Sequence, residues 1–147
     1  MKNKIQQLRD QFLEMLHEVA RTEMVINLVS LVQGEDAFLL QLYINQKMNP
    51  KQLCEALYVS KGRISAIISS LSKRNYIVMD INPNDRRSIL IELSDQGKQY
   101  LEKKLNDAQE HFELIFKLAG YDTTLMFVES MKKIVERMRE VSHVKNS

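Results

Sequence analysis

Between residues 60 and 73 the chain reads Ser-Lys-Gly-Arg-Ile-Ser-Ala-Ile-Ile-Ser-Ser-Leu-Ser-Lys. Ile64, Ile67, Ile68 and Leu71 form one apolar stripe at helical spacing. That leaves Lys61, Gly62, Arg63, Ser65, Ala66, Ser69, Ser70 and Lys73 on the opposite face, which is small, hydroxylated and basic. An ordinary solvated face mixes Glu with Lys, yet no acid occurs between Glu55 and Asp80. Such a face suits the major groove of a DNA duplex, about 12 Å wide. Small side chains at Gly62, Ser65, Ala66 and Ser69 let the backbone approach base edges, and Arg63 is long enough for a bidentate contact with guanine. Ser60 and Lys61 stand where amide donors and the helix dipole favour a phosphate. A second cationic spot, Arg86-Arg87, follows Asp85. A narrow minor groove accepts an inserted Arg. An Asp two residues before Arg87 can accept its hydrogen bonds and hold the tip in shape.

The elements that must position these residues follow from periodicity and punctuation. Residues 2 to about 31 read as one helix, with Ile5, Leu8, Phe12, Met15/Leu16 and Val19 recurring at three- and four-residue steps. Gly34 is the first breaker, so a turn is expected near Gln33–Gly34. A second helix is expected over Asp36 to Asn45, with Phe38, Leu39, Leu42 and Tyr43 inward. Asn49-Pro50-Lys51-Gln52 then starts a short helix: Asn caps, Pro takes the first helical position, and Gln52 can reach back to the cap. Ser60 caps the next. Two helices across a short turn, the second bearing the small basic face, make the helix-turn-helix pattern. Tyr76–Ile81 and Ser88–Leu93 are β-prone, and Asn82-Pro83-Asn84-Asp85 between them is turn chemistry, which predicts a hairpin with more than a two-residue turn. Ser94-Asp95 caps a long helix to about Leu118, and Gly120 breaks it. Asp122 is expected to cap a last helix with Leu125, Val128, Met131, Ile134/Val135 and Met138 inward, ending in a frayed tail over 142–147. Helix-turn-helix plus hairpin is a winged helix.

Charge distribution agrees. The whole chain of 147 residues carries only +2, but residues 47–87 hold eight basic residues against three acids, or +5, and the rest sums to −3. Four Gly and two Pro argue for long helices. One Cys excludes an intramolecular disulfide and a Cys-rich zinc site. Cys54 reads as a small inward hydrophobe, and His17, His111 and His143 are too scattered to suggest a metal centre. The acids Asp10, Glu14, Glu18 and Glu23 are wrong for a signal peptide, and no apolar run reaches the ~20 residues of a membrane span, so a cytoplasmic location is expected. With no Gly-rich phosphate loop, no metal-ligand spacing and no nucleophile beside a base, the sequence does not read as an enzyme and calls for no cofactor.

The run Asp85-Arg86-Arg87-Ser88-Ile89-Leu90-Ile91-Glu92-Leu93-Ser94-Asp95-Gln96-Gly97 resembles the wing signature of the MarR family of bacterial regulators: Asp-x-Arg, an alternating strand, then Leu-Thr-x-x-Gly, with Ser94 in place of Thr. Upstream, Leu53 to Ile77 is similar to the family's helix-turn-helix. Before the second helix the family has a Thr or Ser cap, whereas this sequence has Val32, then Gly34, Glu35 and Asp36, so that helix is expected to start late. The resemblance implies a mostly α fold with a small β-hairpin wing. It implies an N-terminal dimerisation helix over residues 1–33, a winged helix-turn-helix over 34–97 and C-terminal dimerisation helices over 98–147. It also implies a homodimer on a pseudo-palindromic duplex, repressing transcription and responding to a small-molecule effector. By it, Ser60, Lys61, Arg63, Ser65 and Ser69 map to recognition-helix contacts, Arg87 to the minor-groove arginine and Asp85 to its brace. Gly62, Lys73 and Arg86 complete the expected DNA-contacting set. The competing expectations are a winged helix that binds protein instead of DNA, and a metal- or redox-switched repressor.

Overall fold

With so few breakers in the sequence, helices dominate the computed structural model, which describes residues 2–145. The described chain forms two compact units, one up to Ala108 and the other from Gln109.

The first unit begins with α1 (Lys2–Val19) and α2 (Glu23–Ser30). The single helix expected over 2–31 is therefore broken at residues 20–22. Thr22 explains the break: its hydroxyl donates to the Val19 carbonyl at 2.7 Å and accepts from the Val25 amide at 3.4 Å, closing one helix and capping the next. Next come α3 (Gly34–Asn45), β1 (Lys47–Met48), α4 (Pro50–Leu57) and α5 (Lys61–Lys73). The hairpin β2 (Ile77–Asn82) and β3 (Asp85–Leu93) precedes α6 (Asp95–Ala119). α3 starts two residues earlier than Asp36. Gly34, at a φ of 76°, makes the turn, and the Gln33 side chain supplies no cap. Tyr43, expected inward, is exposed.

The three strands lie in the order β1-β3-β2, all antiparallel. Phe38, Leu39, Leu42, Leu53, Ile64, Leu71, Ile91 and Leu101 are fully buried together, drawing α3, α4, α5, β3 and α6 into one core. Ile64, Ile67 and Leu71 fix the roll of α5. Turning that helix would expose three apolar side chains at about 1.5–3 kcal/mol each, so its small basic face points outward.

Gly97 fixes the start of α6. A Cβ there would lie 1.9 Å from the Tyr76 carbonyl oxygen, so only glycine permits this approach. Ser94 caps the helix, its hydroxyl accepting from the Gly97 amide at 2.9 Å and donating to the Asn75 carbonyl. These contacts give the Leu-Ser-x-x-Gly segment its structural reason.

In the second unit, α6 ends at Ala119 and α7 runs from Tyr121 to Lys145. Asp122, expected as the cap, lies inside the first turn of α7, and Thr124 donates to the Gly120 carbonyl. The tail expected to fray from Ser142 is helical to Lys145, and Asn146 and Ser147 lie outside the described residues. Leu125, Met131, Ile134 and Val135, expected inward, are exposed in the isolated chain. So are Ile5, Leu8, Phe12, Met15 and Val19 of α1. No single described helix is long and apolar enough to cross a membrane. α2 and α3 together pass by composition, but they are bent by 52° and α3 carries core residues.

Candidate nucleic-acid interface

Local chemistry builds the interface in sequence order. Asn49 accepts from the Gln52 amide at 2.9 Å while Gln52 Oε1 accepts from the Asn49 amide at 2.8 Å, a complete capping box that starts α4 sharply. α4 ends at Tyr58, whose φ of 54° lies in the left-handed region. Two residues later Ser60 Oγ accepts from the Arg63 amide at 3.3 Å and starts α5. The turn between the helices is thus set by a left-handed residue and a serine cap.

All of the residues expected to contact DNA are exposed: Ser60, Lys61, Gly62, Arg63, Ser65, Ser69, Lys73, Arg86 and Arg87. Gly62 has open space on its outer side, the nearest atom to an added Cβ being Ser60 Oγ at 4.0 Å. Nothing inside the protein requires a glycine at this position.

At the wing, the strands pair regularly from Ile77↔Leu93 to Ile81↔Ile89, and the next pair is Asn82↔Asp85. The turn therefore contains just Pro83 and Asn84, shorter than the sequence suggested, and Arg86, Arg87 and Ser88 are thrown out of the ladder as a bulge. Two side chains hold that shape. Asn82 Oδ1 accepts from the Asn84 amide at 3.0 Å, and Asp85 Oδ1 accepts from the Arg87 amide at 3.0 Å. Asp85 braces the backbone of Arg87 and leaves its guanidinium outward.

A groove of about 480 Å³ separates the wing from the helix-turn-helix. Lys61, Ser65 and Arg87 stand on its walls with Lys51, and Cys54 and Ile64 lie at its apolar side. It brings Lys61 and Ser65 of α5 together with Asp85 and Arg87 of the wing. Gly62, Arg63, Ser69, Lys73 and Arg86 are exposed outside it. Sequence reasoning missed the contribution of Asn49 and Pro50 to this groove, and also Tyr58, which is 95% exposed in the turn before α5. A large aromatic between the two helices was the available signal. Cys54 is half-buried rather than fully inward.

The basic residues of the segment separate into two groups. Lys47 pairs with Glu92 at 3.0 Å, Lys51 lies 4.0 Å from Glu55, and Arg74 is bonded to Glu35. Lys61, Arg63, Lys73, Arg86 and Arg87 have no ion-pair partner among the described residues. Nor do the described residues gather three His, Cys, Asp or Glu side chains that could hold a metal ion; the side chain of His143 lies outside them.

Residues 37–88 match the family model described as MarR family. That segment, from α3 into β3, is thus similar to the MarR family. Its curated relatives include the HTH-type transcriptional regulator SarZ of Staphylococcus epidermidis, 25% identical over 93 residues. That match covers 63% of this chain and 62% of SarZ, so it spans less than two thirds of the relative's length. Among solved structures, the YusO protein of Bacillus subtilis superposes with a TM-score of 0.71 at 18% identity, covering 92% of this chain and 98% of that one. A mutant MarR from E. coli complexed with operator DNA gives 0.65 at 20% identity, covering 91% and 97%. The fold of those structures is thus shared across most of the chain.

Proposed function

We propose that this protein is a DNA-binding transcriptional regulator that acts as a homodimer in the bacterial cytoplasm. In this reading α5 enters a major groove and the bulged wing tip presents Arg87 to the neighbouring minor groove. The observation that carries it is the sorting of cations. Those on the reading face lack partners within the described chain, whereas Lys47 and Arg74, also in the basic segment, are paired internally. Unpaired cations on an outward face are what a polyanion recruits. The fold shared with a MarR captured on operator DNA supports the same reading.

The homodimer explains the exposed apolar stripes of α1 and α7, since contiguous apolar surface of this kind marks an interface. Residues 1–33 and 98–147 would then form the dimerisation arms, and 34–97 the reading head. Two recognition helices about 34–36 Å apart would read the halves of a pseudo-palindrome. Repression, and its relief by a small-molecule effector that favours another dimer shape, follow from the family resemblance.

Binding of the full chain to duplexes selected from a random pool, followed by fluorescence anisotropy across salt concentrations, tests the reading. Five unpaired cations per protomer set an upper slope of about −9 for log K against log salt in a dimer, at ~0.9 per phosphate neutralised. Selection of a palindrome with a steep negative slope is expected. Failure to enrich any duplex would remove DNA from the function.

A further inference from the structure

A closed ring of polar and aromatic contacts joins α3, the segment between α5 and β2, and α6 behind the reading face. Glu35, in the first turn of α3, bonds to the guanidinium of Arg74, the residue that ends α5. That guanidinium lies 4.9 Å over the ring of Tyr76, just before β2. Tyr76 stacks on Tyr100 of α6, with centroids 4.7 Å apart and planes at 26°. The Tyr100 hydroxyl donates to Oδ1 of Asp36 at 2.9 Å, and Lys104 Nζ lies 3.7 Å from the other oxygen of the same carboxylate. Asp36 neighbours Glu35, so the circuit closes. Asp36 is buried, and its carboxylate has both oxygens engaged. None of these residues is on the reading face.

We propose that this ring, with Tyr100 at its centre, is a positioning device that fixes the angle between α5 and α6 and thereby selects the spacing between the two half-sites of the DNA target. The inference rests on the dimeric DNA-binding reading. Its physical basis is leverage. Within the first unit α6 runs from Asp95 to Ala108, about 21 Å at ~1.5 Å per residue. A tilt of about 9° at its start moves that end by ~3 Å, close to the ~3.4 Å step from one base to the next along a strand. The start of α6 is held where Gly97 meets the Tyr76 carbonyl and Ser94 donates to Asn75, and Leu101 is buried in the core. Those are backbone and apolar contacts. The ring adds directional polar contacts at Tyr100 and, one turn further along, at Lys104, which limit the tilt of the helix about its packed side. The two ends of the ring also have separate tasks: Arg74 holds the end of the recognition helix, while Tyr100 holds the arm.

Tyr100 and Arg74 are therefore positioning residues, and the readout specific to positioning is spacing. The full chain, Tyr100→Phe and Arg74→Lys are each used to select duplexes from a random-sequence pool. The enriched half-site sequence and half-site separation are scored, alongside the thermal melt of each protein. The unmodified chain is expected to favour one separation at least tenfold over separations one base pair longer or shorter. Tyr100→Phe keeps the ring stack and loses the bond to Asp36. It should enrich the same half-site sequence while reducing the spacing preference to threefold or less. Arg74→Lys, at a partly exposed site, should do the same in smaller degree, and it carries the test alone if Tyr100→Phe does not fold. An unchanged single separation in the folded variants overturns the proposal, as does a changed half-site sequence. If the unmodified chain enriches no palindrome, the DNA-binding reading itself fails, which is a different result from unchanged spacing in the variants.

Discussion

Gly62, on the outward face of α5, and Gly97, in the first turn of α6, occupy opposite surroundings. A side chain added at Gly62 would find open space, whereas one at Gly97 would strike a backbone carbonyl. The charged residues follow the same division. Arg63 and Arg87 on the reading face are without ion-pair partners among the described residues, while Arg74 and Lys104 at the junction have both a carboxylate and an aromatic ring. The junction satisfies these polar groups internally, and the same contacts tie together the helices that meet there. The reading face leaves its donors unmet, and the space in front of them is free. Residue type alone does not separate the two regions; the location of each partner does.

Substitutions can test that contrast, beginning with the largest expected effect. Gly97→Ala should cost about 3 kcal/mol of stability, at the upper end for overpacking, because the obstructing atom is backbone and cannot rotate away. A thermal melt should show Tm falling by on the order of 10 °C. Arg87→Ala should do the reverse. The melt stays unchanged, and duplex affinity measured by anisotropy drops by about 1–3 kcal/mol. Equal loss of stability in that variant would mean that the wing tip belongs to the fold, not to a reading surface.

Gly62→Ala sharpens the comparison further. Gly62 is the second residue of α5, so alanine gains less there than the roughly 0.5–1 kcal/mol of a helix interior, and the protein should melt slightly higher. Its DNA affinity should fall, because the methyl group occupies the space in which bases approach. A variant both more stable and tighter-binding would contradict close approach at Gly62.

The smallest effect is at the junction. Burial, and then the hydrogen bond donated to Asp36, push the Tyr100 hydroxyl from its usual 10 up to about 12. The folded state therefore holds this proton more tightly than the unfolded state. The resulting stabilisation is fully present below pH 10 and is lost as pH rises through about 12. Denaturant titrations between pH 9 and 12 should show the unmodified protein losing stability more steeply than Tyr100→Phe. Parallel curves would show that the hydroxyl is not held by Asp36 in solution.

Much of the winged helix was legible in the sequence. The capping box at Asn49, the cap at Ser60 and the stripe Ile64-Ile67-Leu71 are local signals whose geometry depends on nearby residues, and each appears where the sequence placed it. The exposure of the basic face follows from that stripe. Other features depended on contacts distant in sequence. β1 is two residues long and exists because Lys47 and Met48 meet Glu92 and Ile91, which no local pattern announces. The break at Thr22 was hidden because apolar periodicity continues across it. The tight turn at Pro83–Asn84 was obscured because its three-residue bulge resembles a longer loop in the sequence. Arg74 counts in the sequence only toward the +5 of residues 47–87, and its bond to Glu35, far away in the chain, has no local signal.

The pairing of β1 at one end of the hairpin has a mechanical consequence. β3 has strands on both sides at Ile91 and Glu92, and toward its tip it has β2 alone. The hairpin is thus a cantilever, clamped at the root and bending most at the end that carries Arg86 and Arg87. A groove of varying width would deflect the tip while the root stayed seated, so compliance in the wing leaves the rigid alignment of α5 undisturbed.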